Sequence, residues 1–116
     1  MIEESIKITF ENEVAVLKFN GEVIFDNSNQ LKEEAKKQLS TKEKIEDLLV
    51  DLSQVPYLDS SGVGVLLSLF KFMRNRGGSM AIASPNDKIR RVFEVTKMTQ
   101  IIPAYENIEQ ALNEIK

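Results

Sequence analysis

The run Tyr57-Leu58-Asp59-Ser60-Ser61-Gly62-Val63-Gly64-Val65-Leu66-Leu67 places one carboxylate and two hydroxyls on a polar turn that leads straight into an apolar helix. A serine at such a place has two uses. Backbone N–H groups in a helix's first turn lack intrahelical partners and carry partial positive charge, so the hydroxyl is either a cap or a seat for negative charge. Capping by Asp59 or Ser60 is the commoner use, and Ser→Ala at a cap costs about 1 kcal/mol. The two uses are compatible, because a serine on a surface turn is also within reach of a kinase. A phosphate there adds about −1.5 to −2 charges, which the helix start tolerates. A partner on the turn would not tolerate it, since Gly62 and Gly64 permit close backbone approach and the dianion would have to be desolvated.

Other chemistries of this turn are removed by what the chain lacks. The 116 residues contain no histidine and no cysteine, which excludes Ser-His-Asp and Cys-His catalysis, disulfides and most zinc sites. The turn has no Gly-x-Ser-x-Gly elbow, and no lysine follows its glycines as a phosphate-binding Walker loop requires. Ser60 therefore reads as a substrate of modification rather than a nucleophile, although spacing alone leaves Ser61 open as the acceptor. A carboxylate hydrolase built on Asp26, Asp51 or Asp59 is the enzymatic alternative. No cofactor is expected.

The elements that must hold the turn follow from periodicity. Ile6, Ile8 and Phe10 alternate with Lys7 and Thr9, and Val14 to Phe19 follow a polar turn, which predicts an opening hairpin ended by Asn20-Gly21. Asn27-Ser28-Asn29 offer caps for a first helix in which Leu31, Ala35 and Leu39 recur at i, i+4, i+8. Ile45 to Leu52 predicts a strand, and Ser60 to Arg76 a second helix stopped by Gly77-Gly78. In that helix Val63, Leu66, Leu67 and Phe70 form one stripe and Val65, Leu69 and Phe72 another, both read as core. Met80 to Ala83 predicts a short strand, with Ser84-Pro85-Asn86-Asp87 as turn and cap for a third helix bearing Ile89, Val92 and Phe93. Ile101-Ile102 read as a last strand, and Ile108, Leu112 and Ile115 as a closing helix.

Strands alternating with helices predict right-handed crossovers between parallel neighbours, with the hairpin adding an antiparallel strand. Leu48, Val50 and Leu52 face away from Leu49 and Asp51, and Met80 and Ile82 away from Ala81 and Ala83. One face is bulkier, and the strands do not read as continuously apolar, so the helices are placed mainly on one face. The expected fold is thus a single α/β domain over residues 1–116 with a mixed, mostly parallel sheet.

Composition restricts the partners. Apolar and charged fractions of 42% and 28% are ordinary for a globular domain, and a net charge of −3 argues against direct nucleic-acid binding. The start Met1-Ile2-Glu3-Glu4-Ser5 lacks the basic and apolar regions of a secretory signal, and the apolar run Val63 to Phe70 is far short of the roughly 20 residues of a membrane span. No membrane association and a cytoplasmic location are expected.

The chain also resembles the anti-sigma factor antagonists, single-domain bacterial proteins of the STAS class. The resemblance rests on Leu49-Val50-Asp51-Leu52-Ser53-Gln54-Val55-Pro56-Tyr57-Leu58-Asp59-Ser60-Ser61-Gly62-Val63-Gly64-Val65-Leu66, with Gly21-Glu22-Val23 before the first helix and Ile89 to Thr96 in the third. It implies a β/α superhelix and no catalysis. It implies too that Ser60 is phosphorylated by a partner that is both anti-sigma factor and ATP-binding serine kinase, that phosphorylation ends binding, and that a metal-dependent serine phosphatase restores it. Partner contacts are implied at Asp59, Ser60, Ser61, Gly62 and Gly64. Family members often carry aspartate where this chain has Ile24, and Asp26 or Asn27 is the candidate replacement, against a plain role in starting the first helix. A monomer is expected, with a dimer open. The alternative reading is a STAS ligand-binding or scaffold module of another signalling or transport complex.

Overall fold

A computed structural model describes residues 5–115. The acidic start Met1 to Glu4, read above as carrying no signal, lies outside the described residues. The chain runs β1 (Ile6–Glu11), β2 (Val14–Phe19), α1 (Phe25–Leu39), β3 (Asp47–Asp51), α2 (Ser60–Asn75), β4 (Ser79–Ala83), α3 (Asp87–Thr96), a 3-10 turn (Met98–Gln100), β5 (Ala104–Tyr105) and α4 (Ile108–Glu114).

One five-stranded sheet has the order β1-β2-β3-β4-β5, antiparallel at β1-β2 and parallel elsewhere. Spatial order equals chain order, so each β-α-β crossover advances the sheet by one strand. Because the crossovers share one hand, α1, α2 and α3 stack along a single face. That face is the bulky one: Leu17, Phe19, Leu48, Val50, Met80 and Ile82 meet Leu31, Ala35 and Leu39 of α1, Leu66 and Leu69 of α2, and Ile89 and Phe93 of α3. The other face carries Leu49 with Ala81 and Ala83, and the small alanine side chains let α4 lie close through Ala111. The expected asymmetry of the strands is therefore the observed one.

α2 is buried through Val63, Val65, Leu66, Leu69 and Met73, with Leu67, Phe70 and Phe72 half-buried against the same core. It ends where Gly77 takes a φ of +79°, a conformation that glycine adopts without Cβ strain. Arg76 then reaches back to donate to the carbonyls of Lys42 at 2.8 Å, Glu43 at 3.1 Å and Leu39 at 3.4 Å while lying over the Phe72 ring. This clasp joins the ends of α1 and α2. No helix among the described residues is long and apolar enough to cross a membrane.

Two expectations about elements are corrected. Ile101-Ile102 are not a strand: Ile102 is fully buried as a plug beneath the 3-10 turn, and β5 pairs with β4 only at Ala104 and Tyr105. The first helix starts at Phe25 rather than after Asn27-Ser28-Asn29, which lie inside its first turns. Its N-cap position is Ile24, which has no side-chain acceptor.

Candidate functional site

The loops that follow β2, β3 and β4 lie side by side at one end of the sheet, in the order of their strands. Val55 and Leu58 are buried and pin the middle loop into the core. On one side Gly21 donates to Gln54 at 3.0 Å, Val23 to Tyr57 at 3.2 Å, and Asp59 to Val23 at 3.3 Å, all through the backbone. On the other side the Asn86 amide donates to the Pro56 carbonyl at 3.0 Å, while its oxygen caps α3 through the Ile89 N–H. The start of α2 is thus held between the starts of α1 and α3.

Asp59 joins two of these helices. Its Oδ1 accepts from Ser61 N–H at 2.8 Å and Gly62 N–H at 3.1 Å, which makes it the N-cap of α2. Its Oδ2 accepts from Phe25 N–H at 3.1 Å, in the first turn of α1. One carboxylate thereby supplies α2 with its cap and α1 with an acceptor that Ile24 cannot offer. Partial burial by itself would raise the Asp59 carboxyl, but the N–H donors of Gly62, Phe25 and Ser61 outweigh it and hold the group below its ordinary value of 3.8.

Since Asp59 does the capping, Ser60 is released from it. Ser60 is exposed at the first position of α2, whereas Ser61 is half-buried and contributes its N–H to Asp59. No hydrogen bond is formed by the Ser60 hydroxyl among the described residues. The sequence left Asp59 and Ser60 as equal candidates for the cap, and the structure assigns it to Asp59.

Other expected site residues divide. Gly64 is exposed, and a Cβ there would meet nothing within 4 Å. Gly62 is buried, and a Cβ would stand 2.4 Å from the Val23 carbonyl oxygen and 2.7 Å from Leu58 Cβ. Its missing side chain therefore makes room for this chain's own strand-end loop, which corrects the reading that it leaves room for a partner. Asn27 is half-buried: its Oδ1 accepts from Ile24 N–H and its Nδ2 donates to the Glu22 carbonyl, both at 2.9 Å. It serves the start of α1, the plain role that the sequence weighed against a partner contact. Asp26 stands exposed in that first turn. Asp51 is buried at the end of β3 and accepts from Ser53 N–H at 2.9 Å, so this carboxylate and that of Asp59 are both engaged with the backbone.

The sequence reading gave Phe25 no role. It is 77% exposed beside the Asp59 carboxylate, and Tyr57 is 43% exposed three residues before Ser60. The helical spacing gave no signal for Phe25, because steps of three and four back from Leu31 reach 25 as well as 24, 27 and 28.

Residues 5–111 match the family described as STAS domain. An anti-sigma-B factor antagonist of Bacillus subtilis (strain 168) is 32% identical over 92 residues, which cover 79% of this chain and 81% of that protein. The crystal structure of a Thermotoga maritima protein, provisionally assigned as an anti-sigma factor antagonist, matches with a TM-score of 0.84 at 28% identity, covering 94% of this chain and 92% of that one. The antagonist SpoIIAA matches in its unphosphorylated form with a TM-score of 0.77 at 17% identity, covering 95% of each chain. Its phosphorylated form, from Bacillus, gives 0.70 at 17% identity, covering 96% of this chain and 99% of that one. At that identity SpoIIAA speaks to the fold alone.

Proposed function

Since this chain belongs to the STAS domain family, we propose that it is an antagonist of an anti-sigma factor, switched by phosphorylation of Ser60. Its unmodified form binds an anti-sigma factor that is also an ATP-dependent serine kinase, and so releases the sigma factor. Transfer of a phosphate to Ser60 ends the complex, and a metal-dependent serine phosphatase restores it. The whole chain, residues 1–116, acts as one domain in the cytoplasm, binding proteins and catalysing nothing itself.

The observation that carries this reading is the division of labour at the start of α2. Asp59 holds the turn, so the exposed Ser60 hydroxyl can be modified without loss of the cap. A phosphate there stands beside the Asp59 carboxylate, and the first-turn N–H groups of α2 offset part of its charge. The fold therefore accommodates both states. The partner does not, because a kinase must bring the γ-phosphate of its nucleotide against Ser60 Oγ. After transfer, that phosphate-lined site faces a fixed dianion that it can neither solvate nor pair. Asp26, Asp59 and Gly64 border the contact, and Ser61 supports it from beneath.

The test is to incubate the protein with ATP and the anti-sigma kinase of the same organism and to map the modified peptide by mass. One phosphate on Ser60, absent from Ser60→Ala, is the expected result. Phosphate on Ser61 alone moves the switch to that residue, and no phosphate on the chain removes the kinase from the account.

A further inference from the structure

Beside the Ser60 turn lies a groove that the switch itself does not use. Its walls are Tyr57 and the face of α3 that carries Lys88, Arg91, Val92 and Val95 at i, i+3, i+4 and i+7, and it encloses about 520 Å³. The opposite face of α3 buries Ile89 and Phe93 in the core and Val92 packs partly against it, which leaves Lys88, Arg91 and Val95 exposed and surplus to folding. Val95 is 76% exposed at its far end. The floor is apolar, and the rim sets two cations, Lys88 and Arg91, against one acid, Asp87. On a chain of net charge −3 this is a local reversal of sign. At the near end of the groove, Asn86 ties the start of α3 to the Pro56 carbonyl.

Resting on the function proposed above, we infer that the kinase partner's grip extends past Ser60 into this groove, which receives an apolar segment of the partner bearing acidic side chains. Tyr57 makes the groove continuous with the Ser60 contact. An exposed valine and tyrosine fit apolar side chains, while Lys88 and Arg91 select a partner of negative charge and oppose one of positive charge. Contacts so far from the transferred phosphate bind the ground state and the transition state alike, so they act on KM and leave kcat unchanged.

The experiment follows phosphate transfer from ATP to the intact chain by that kinase, with the chain as the varied substrate. Val95→Ser and the double variant Lys88→Glu/Arg91→Glu are each expected to raise KM by about tenfold at unchanged kcat. Arg91→Lys should retain the wild-type KM, rising salt should raise the wild-type KM, and the melting temperatures of the variants should match the parent. Unchanged KM in both groove variants, with Ser60 still phosphorylated, overturns the groove and leaves the switch standing. No phosphorylation of the wild-type chain overturns both. Sedimentation of the wild type with phosphatidylserine vesicles, lost in the double variant, overturns the groove as a protein-binding surface and makes it a membrane contact.

Discussion

Gly62 and Gly64 lie two residues apart in one helix, and alanine should act on them with opposite sign. At Gly62 the new Cβ would stand 2.4 Å from the Val23 carbonyl oxygen and 2.7 Å from Leu58 Cβ. Neither neighbour can give way, since Val23 is 2% exposed and Leu58 is fully buried. Relief requires the Gly21–Val23 loop to move off, which strains the Val23 to Tyr57 and Asp59 to Val23 hydrogen bonds of 3.2 and 3.3 Å. Overpacking costs roughly 1–3 kcal/mol and each weakened bond about 1 kcal/mol, against a gain in helix propensity of at most about 1 kcal/mol. The net loss is about 3 kcal/mol, or a melting temperature lower by roughly 12 °C for a domain near this size. At Gly64 nothing stands within 4 Å, so only the propensity acts and Gly64→Ala should gain about 0.5–1 kcal/mol and a few degrees. Thermal and urea denaturation followed by circular dichroism measure both. A Gly62→Ala variant as stable as the parent would falsify the packing described for the two loops.

Three other perturbations bear on the same end of the molecule and on its clasp. Ser60→Ala should change stability by less than about 0.5 kcal/mol, because Asp59 holds the cap; a loss of 1 kcal/mol or more in urea denaturation would give the capping role back to the serine. Asp59 has its folded pKa depressed, so its contribution is present above the unfolded value near 3.8 and is lost as pH falls through the lower folded value. The stability gap between wild type and Asp59→Asn should therefore be full at neutral pH and shrink below about pH 4, and a gap independent of pH would contradict the hydrogen bonding drawn here. Arg76→Ala removes three donors to the carbonyls of Leu39, Lys42 and Glu43 together with the contact on Phe72. A loss of about 1–2 kcal/mol is expected in the same assay, and no loss would mean that the ends of α1 and α2 hold without the clasp.

The sheet, its helices and the bulky face were legible because strand alternation and helical stripes report burial directly. Leu48 and Val50 against Leu49, and Met80 and Ile82 against Ala81 and Ala83, carried the layer order without a structure. The start of α1 was misread for a definite reason. Asn27-Ser28-Asn29 look like caps in sequence, yet the acceptor for Phe25 N–H comes from Asp59, 34 residues away, and local pattern cannot reveal a cap supplied by another helix. Gly62 was misread in the same way, since a missing Cβ looks the same whether the space belongs to a partner or to the chain's own Val23. Ile101-Ile102 passed for a strand because two apolar branched residues suit a buried plug as well as a ladder. Of the candidate site, residue type and spacing displayed the turn and its serine, while the choice of Asp59 as cap required coordinates.

The central claim concerns Ser60 as a switch on partner binding and is tested most directly by titrating the anti-sigma kinase, with nucleotide bound, against four forms of the chain. The wild type and Ser60→Ala should bind with affinities within a few-fold of each other. Ser60→Asp and the phosphorylated wild type should bind at least about a hundredfold more weakly, in keeping with the roughly 3 kcal/mol or more expected for an unpaired charge in a buried contact. Equal affinities of the phosphorylated and unmodified chains would contradict the account.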